Sequence, residues 1–94
     1  MSDDILSRIG AVIESRKGAD PSTSYVAKLF DKGLDGILKK VGEEATETIV
    51  AAKNSDSGRF VSETGDLIYH LLVLLVERGV TLEEISKELK GRRK

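Results

Sequence analysis

The fold is decided by residues 34–78, which read LDGILKKVGEEATETIVAAKNSDSGRFVSETGDLIYHLLVLLVER. Apolar residues recur in this stretch at the three- and four-residue spacing of an amphipathic helix, on both sides of the turn-forming run Asn54 to Gly58. The pattern predicts one helix from about Leu34 to Lys53 and another from about Arg59 to Arg78. A short connection favours antiparallel neighbours, so we expect these two helices to form a hairpin.

Two shorter helices are predicted before this hairpin. Ser2 or Asp3 is expected to cap the first, which ends at Gly18. A loop around Pro21 follows, because proline disfavours helical geometry in the residue before it. The second helix begins near Ser24 and is stopped or kinked at Gly33.

A last short helix is predicted after Gly79, where Thr81-Leu82-Glu83-Glu84 is typical of a capping box. No strand-like alternation of apolar and polar residues interrupts the helical pattern. The sequence therefore predicts an all-α helical bundle built on two long antiparallel helices, with residues 1–94 forming a single domain.

Composition excludes several classes of function. The chain has 94 residues, no cysteine, 15 basic and 16 acidic side chains and four aromatics. Disulfides, thiolate metal sites and cysteine nucleophiles are absent, and a net charge of −1 does not favour nucleic-acid binding. The amino terminus does not resemble a signal peptide, and the longest uncharged apolar segment is shorter than the roughly 20 residues of a membrane span. We expect a cytoplasmic protein with no nucleic-acid or membrane partner.

The helix over residues 59–78 is apolar on two sides. At about 100° per residue, one side carries Phe60, Leu67, Leu71, Leu74 and Leu75, and the opposite side carries Tyr69, Val73 and Val76. A chain this short buries only roughly 60–65% of the surface exposed by its unfolded form. We therefore expect the chain's own helices to cover one side and a second copy to cover the other, giving a homodimer. The alternative is a core helix buried within a monomer.

Each long helix carries a pair of acidic residues at i, i+3, which places both side chains on one helix face. The pairs are Glu44 with Glu47 and Glu63 with Asp66. If Ser55 is the midpoint of the hairpin, Glu47 and Glu63 are each eight residues away, and Glu44 and Asp66 are each eleven. The two pairs are therefore expected to face one another at the same height.

Helical wheels place these acids beside apolar surface, with Glu44 at the border of a stripe formed by Leu34, Ile37, Leu38, Val41, Ala45, Ile49 and Ala52. Four carboxylates in a half-buried cleft repel one another and lose hydration. A hard divalent cation relieves both costs, and Mg²⁺ keeps water ligands that a phosphate substrate can replace. The pattern indicates Mg²⁺-dependent phosphate chemistry. Two alternatives remain: a solvated acidic face, and a di-iron site, which the absence of any Glu-x-x-His unit disfavours.

Basic residues near the acids are candidates for binding phosphate. Lys39 and Lys40 lie one turn before Glu43 and Glu44, and Lys40 shares the ridge of the acids. Further candidates that could reach the substrate from preceding helices are Lys28, Lys32 and Arg16. His70 lies one turn beyond Asp66, where it would orient a ligand, contact substrate or serve only in packing.

Three segments resemble the phosphoribosyl-ATP pyrophosphatases, histidine-biosynthesis enzymes among the all-α MazG-like nucleotide pyrophosphatases. They are YVAKLF at 25–30, ILKKVGEEATE at 37–47 and ETGDLIYHLL at 63–72. The resemblance covers nearly the whole chain and includes all four acids of the pattern Glu-x-x-Glu followed by Glu-x-x-Asp.

This resemblance implies hydrolysis of 1-(5-phosphoribosyl)-ATP to 1-(5-phosphoribosyl)-AMP and pyrophosphate. Glu44, Glu47, Glu63 and Asp66 would bind Mg²⁺, and either Glu44 or Glu47 would take the proton of the attacking water. Two alternatives stay open. One is a house-cleaning pyrophosphatase of ordinary or modified deoxynucleoside triphosphates, and the other is a non-enzymatic helical dimerisation module.

Overall fold

A computed structural model describes residues 5–92 as four helices: α1 (Ile5–Ser15), α2 (Tyr25–Ala52), α3 (Ser57–Arg78) and α4 (Leu82–Gly91). The long helices α2 and α3 pack together as the predicted hairpin, and α1 packs against α3. Residues 5–92 contain no strand, so the all-α prediction is confirmed. Within the same range, no helix combines the length and apolar character that a bilayer span requires.

The helix α1 ends at Ser15, three residues earlier than predicted. The Ser15 hydroxyl donates a hydrogen bond to the Val12 carbonyl at 2.6 Å, and the chain then turns through Gly18, whose φ is +90°. Gly18 therefore belongs to the turn that follows the helix. The predicted caps Ser2 and Asp3 lie outside the described residues.

The two helices predicted on either side of Gly33 are halves of the single helix α2, which is kinked there. Ser24 caps the first half as predicted, since its side chain accepts a hydrogen bond from the Ala27 amide at 3.1 Å. Gly33 has φ +83° and ψ −175°, a conformation that is essentially restricted to glycine. A Cβ at Gly36 would lie 2.7 Å from Lys32 Cβ, so the halves meet too closely for a larger residue.

The connection between α2 and α3 is shorter than the predicted turn over residues 54–58. The Asp56 carboxylate accepts a hydrogen bond from the Arg59 amide at 3.2 Å, and α3 begins at Ser57. Gly58 is helical, so the prediction was wrong for the last two residues of the turn. This N-cap bond explains the early start, because it satisfies an amide that has no partner within the helix.

The carboxyl-terminal prediction is confirmed. The helix α3 ends at Gly79, whose φ of +71° is the left-handed conformation typical of a helix stop. In α4 the Glu84 amide donates to Thr81 Oγ1 at 3.1 Å, and the Thr81 amide donates to Glu84 Oε2 at 3.0 Å. These two bonds form the expected capping box.

The hydrophobic core lies between α1, α2 and α3 and contains Ile13, Val26, Leu29, Ile37, Leu72 and Val73. Tyr69 and Val76 pack against it, so the chain covers the side of α3 that carries them. The opposite side of α3 is open only in part: Leu74 and Leu75 also pack against the core, whereas Phe60 is 39% exposed and Leu71 is 40% exposed.

The apolar stripe predicted for α2 is wrong in its orientation. The buried face contains Ile37, Glu44 and Ala51, whereas Leu38 is 45% exposed and Ile49 is 65% exposed. Glu44 therefore lies in the middle of the buried face and not at the border of a stripe. Leu38 and Ile49 belong to a second, exposed apolar surface of α2.

The open sides of α2 and α3 lie on the same side of the hairpin. In each helix one set of exposed apolar positions, Leu38 and Ile49 in α2 and Phe60 and Leu71 in α3, is rotated by about 90° from the residues that face the partner helix. Because the helices run antiparallel, equal rotations bring both sets to one side. We call this surface the outer apolar face; it comprises Leu38, Ala45, Ile49, Phe60, Leu67 and Leu71.

Candidate functional site

Three of the four predicted acids meet between α2 and α3. One carboxylate oxygen from each of Glu44, Glu63 and Asp66 lies within 4.8 Å of the other two. Thr48 links the two helices and helps to fix their relative position along the hairpin axis. Its hydroxyl lies 2.8 Å from the Glu44 carbonyl oxygen in α2 and 3.1 Å from the Glu63 carbonyl oxygen in α3. The carboxylates of the two pairs are therefore brought together at the level that symmetry about Ser55 predicts.

Glu47 lies at the edge of this group. Its side chain is exposed, and its carboxylate is not among the three oxygens that lie within 4.8 Å of one another. Its negative charge nevertheless acts on the Glu63 carboxyl. Glu47 is thus a neighbour of the acidic group and is open to solvent.

The oxygens of Glu44 and Glu63 fall into two kinds. Lys40 Nζ lies 3.5 Å from Glu44 Oε2, and Arg59 Nε lies 3.8 Å from Glu63 Oε2. The other oxygen of each carboxylate, Oε1, is buried without a hydrogen-bond partner. A buried anionic oxygen without a partner is costly, and oxygen ligands are what hard cations prefer. The residues present therefore fit a divalent metal ion such as Mg²⁺.

Burial raises the pKa of Glu63 above its usual value. The next causes are the neighbouring Glu47 carboxyl and the negative charges of Glu47 and Glu44, while Arg59 acts in the opposite direction. Without a cation, ionising the Glu63 carboxyl therefore costs more in the folded protein than in the unfolded chain. This is the electrostatic cost that a bound cation would remove.

We expect the metal-free protein to lose stability as pH rises from the ordinary Glu63 pKa near 4.5 to its raised value in the folded state. Within this window the folded chain binds more protons at Glu63 than the unfolded chain, so deprotonation favours unfolding. Melting temperatures measured against pH in the presence of a chelator test this. Glu63→Gln should remove this part of the pH dependence, and an unchanged slope in that variant would contradict the assignment.

A groove of about 410 Å³ lies beside the acids and brings together three of the predicted phosphate-binding lysines, Lys32, Lys39 and Lys40. Lys40 joins the groove to the acidic group through its ion pair with Glu44. Tyr25, Glu44 and Glu43 raise the pKa of Lys40, so the amine stays charged. The remaining lining residues are Tyr25, Leu29, Gly36 and Glu43.

Two other predicted substrate-binding residues do not line this groove. Lys28 and Arg16 are both exposed, and neither is among the lining residues. Arg16 instead lies near Tyr69. Burial raises the pKa of Tyr69, and the positive charge of Arg16 partly offsets this increase. A substrate contact by either residue stays a prediction.

His70 is buried, and both of its ring nitrogens are engaged by the protein. Nδ1 lies 2.7 Å from the Asp66 carbonyl oxygen, and Nε2 lies 2.7 Å from the Tyr25 hydroxyl. A carbonyl oxygen can only accept, so Nδ1 donates; in the neutral ring, Nε2 then accepts from Tyr25. This geometry favours a positioning role over substrate contact, and it leaves no imidazole for a di-iron site.

Sequence reasoning missed Tyr25, although it lies in one of the segments that carry the resemblance. The phenol lines the lysine groove and approaches His70, 45 residues away in the chain. No spacing rule connects these two positions, because the loop before α2 and the kink at Gly33 decide where Tyr25 lies.

Comparison with known proteins gives one consistent result. The family model for phosphoribosyl-ATP pyrophosphohydrolase matches residues 6–93. The chain is 54% identical over 90 residues to a phosphoribosyl-ATP pyrophosphatase of Methylibium petroleiphilum, covering 96% of this chain and 75% of that protein. It is 48% identical to that of Hydrogenovibrio crunogenus, covering 98% and 85%. It is also 58% identical to the histidine biosynthesis bifunctional protein HisIE of Thermoanaerobacter pseudethanolicus, covering 89% of this chain and 39% of that protein.

Proposed function

The chain belongs to the phosphoribosyl-ATP pyrophosphohydrolase family, and from this premise we propose how its residues perform the reaction. It is an enzyme that hydrolyses 1-(5-phosphoribosyl)-ATP to 1-(5-phosphoribosyl)-AMP and pyrophosphate, the second step of histidine biosynthesis. The observation that carries the residue-level proposal is the pair of buried, unpartnered oxygens Glu44 Oε1 and Glu63 Oε1 beside Asp66.

Glu44, Glu63 and Asp66 would hold Mg²⁺, with Glu47 at the edge of the site. When bound, Mg²⁺ supplies charge neutralisation for phosphate oxygens and acidifies water. All available donors in the group are carboxylate oxygens, which is the ligand set that Mg²⁺ prefers. Asp66 is the most exposed of the three and so faces the side from which a substrate arrives.

Glu47 is the better candidate for the general base. Its carboxylate lies outside the three-oxygen group and is exposed to solvent beside Glu63. It is therefore free to accept the proton of the attacking water. Glu44 is the weaker candidate, because its Oε2 is paired with Lys40 and its Oε1 is buried within the acidic group.

The lysine groove would hold the phosphates of the substrate. Lys40 stands between the groove and Glu44, so a phosphate chain bound there would reach the acids. Lys32 and Lys39 add two further positive charges to the same wall, and Lys28 and Arg16 are exposed residues that could extend it.

The same proposal includes a homodimer formed through the outer apolar face and a cytoplasmic location. The support for the dimer is the set of large apolar side chains exposed at helical spacing on one side of the hairpin. Covering this side would complete a four-helix bundle around a single domain over residues 1–94.

The substrate assignment is tested by pyrophosphate release from a panel of nucleotides in the presence of Mg²⁺. We expect phosphoribosyl-ATP to be hydrolysed with the highest kcat/KM. Faster turnover of dCTP or dUTP would contradict the assignment and favour a house-cleaning nucleotide pyrophosphatase. No release from any nucleotide would favour a non-enzymatic helical module.

A further inference from the structure

The buried imidazole of His70 connects two parts of the molecule that the proposed reaction uses. On one side it contacts the Asp66 turn of α3, which carries an acid of the metal group. On the other side it contacts Tyr25, the first residue of α2 and part of the groove wall. His70 is only 5% exposed whereas Tyr25 is 50% exposed, so both hydrogen bonds are partly buried.

The proton positions along this connection follow from the groups present. The Asp66 carbonyl accepts from Nδ1–H, so the neutral imidazole presents a lone pair at Nε2 to Tyr25. Burial raises the pKa of Tyr25, so its hydroxyl keeps the proton that it donates. The edge-on contact of the two rings, with centroids 5.8 Å apart, fixes the direction of approach.

The amino-terminal half of α2 needs such a connection. The kink at Gly33 separates residues 25–32 from the half that carries the acids, and this first half supplies Tyr25, Leu29 and Lys32 to the groove. Val26 and Leu29 anchor it in the core by apolar contact, which is not directional. The Tyr25–His70 hydrogen bond supplies a directional contact between this half and α3.

We propose that Tyr25 is a positioning residue for the reaction, acting through His70 to hold the Asp66 turn and the groove wall in register. This inference rests on the proposed function for its effect on turnover. Its structural part does not depend on turnover, and spectra of the metal-free protein and Mg²⁺ binding test it. Tyr25 is not assigned any chemical step.

The variant Tyr25→Phe tests the proposal, because it removes only the hydroxyl. His70 is the single histidine of the chain, so ¹⁵N spectra of the metal-free protein give one pair of imidazole nitrogens. We expect the Nδ1-protonated form in the parent protein and a changed Nε2 shift in the variant. We also expect the Kd for Mg²⁺, measured by calorimetry, and the KM for phosphoribosyl-ATP each to rise about fivefold, with kcat at saturation nearly unchanged.

Tyr69→Phe is the matched control. Tyr69 meets the same imidazole edge-on at 5.5 Å, but the structure gives its hydroxyl no hydrogen bond to His70. We expect this variant to keep the parent values for Mg²⁺ and substrate. In addition, the double variant Tyr25→Phe with His70→Asn should raise the Kd for Mg²⁺ and the KM no further than the more damaging of the two single variants does, because both substitutions break the same connection.

Three results would overturn the proposal: an unchanged Nε2 shift, an unchanged Kd for Mg²⁺, or a fall in kcat with KM and Kd unchanged. The last would mean that Tyr25 acts on the reacting groups directly. If the parent protein does not hydrolyse phosphoribosyl-ATP, the proposed function fails while the spectra and the Mg²⁺ titration still decide the role of Tyr25.

Discussion

Asp66→Asn is expected to lower pyrophosphate release by about a thousandfold and to abolish measurable Mg²⁺ binding. The change removes one charge from a group whose oxygens lie within 4.8 Å of one another. Charge stabilisation by a bound metal ion is worth several kcal/mol in phosphoryl chemistry, and each 1.4 kcal/mol corresponds to about a tenfold change in rate. The backbone of Asp66 still accepts the hydrogen bond from His70 in this variant, so the position of the turn is retained.

The metal-free form of Asp66→Asn should be slightly more stable than the parent. Three neighbouring carboxylates repel one another, and an amide in place of one relieves part of that repulsion. Thermal melting in a chelator measures this, and calorimetric titration with Mg²⁺ measures binding.

Glu83→Gln on α4 is the control for Asp66→Asn. Glu83 is exposed in the first turn of α4 and does not belong to the acidic group. It should keep parent turnover and parent Mg²⁺ affinity. Full activity of Asp66→Asn with unchanged affinity would contradict the metal assignment and favour the solvated-face alternative.

Leu71→Glu is expected to convert a dimer into monomers and to lower the free energy of unfolding. Leu71 is 40% exposed within one chain, so the glutamate would cost little in a monomer. In a dimer joined through the outer apolar face, the same carboxylate would be buried without a partner, which costs several kcal/mol. Sedimentation equilibrium should give about twice the 10.2 kDa chain mass for the parent protein and the single-chain mass for the variant.

Val50→Glu is the matched control for Leu71→Glu. Val50 is 56% exposed on α2, on the opposite side of that helix from Ala45. It should leave the assembly unchanged. A parent protein that sediments as a monomer, or a Leu71→Glu variant that remains dimeric, would contradict a dimer formed through this face.

The helices could be predicted from sequence because their signals are local. Ser24, Gly33, Gly79 and the Thr81 capping box each act within one turn of the helix that they start, kink or stop. The meeting of Glu44 with Asp66 was also predictable, since a short turn fixes the register of an antiparallel pair.

The depth of Glu44 could not be predicted, for a physical reason. A helical wheel averages every apolar residue into one stripe, whereas α2 has two apolar surfaces, one at Ile37 and Ala51 and one at Leu38 and Ile49. The average falls between them and places Glu44 at a border. The Tyr25–His70 contact was hidden for another reason, because it depends on tertiary placement over 45 residues.

The bend at Gly33 divides one continuous helix into two sections that share the wall of the groove. The section before it supplies Tyr25 and Lys32, while the section after it supplies Lys40, which joins the wall to the acids. A substitution at the exposed Lys32 can therefore alter which nucleotide is accepted without touching an acid, whereas one at Tyr25 also reaches the ion site through His70. New substrate preferences can thus evolve at one side chain of the earlier section while the underlying chemistry is preserved.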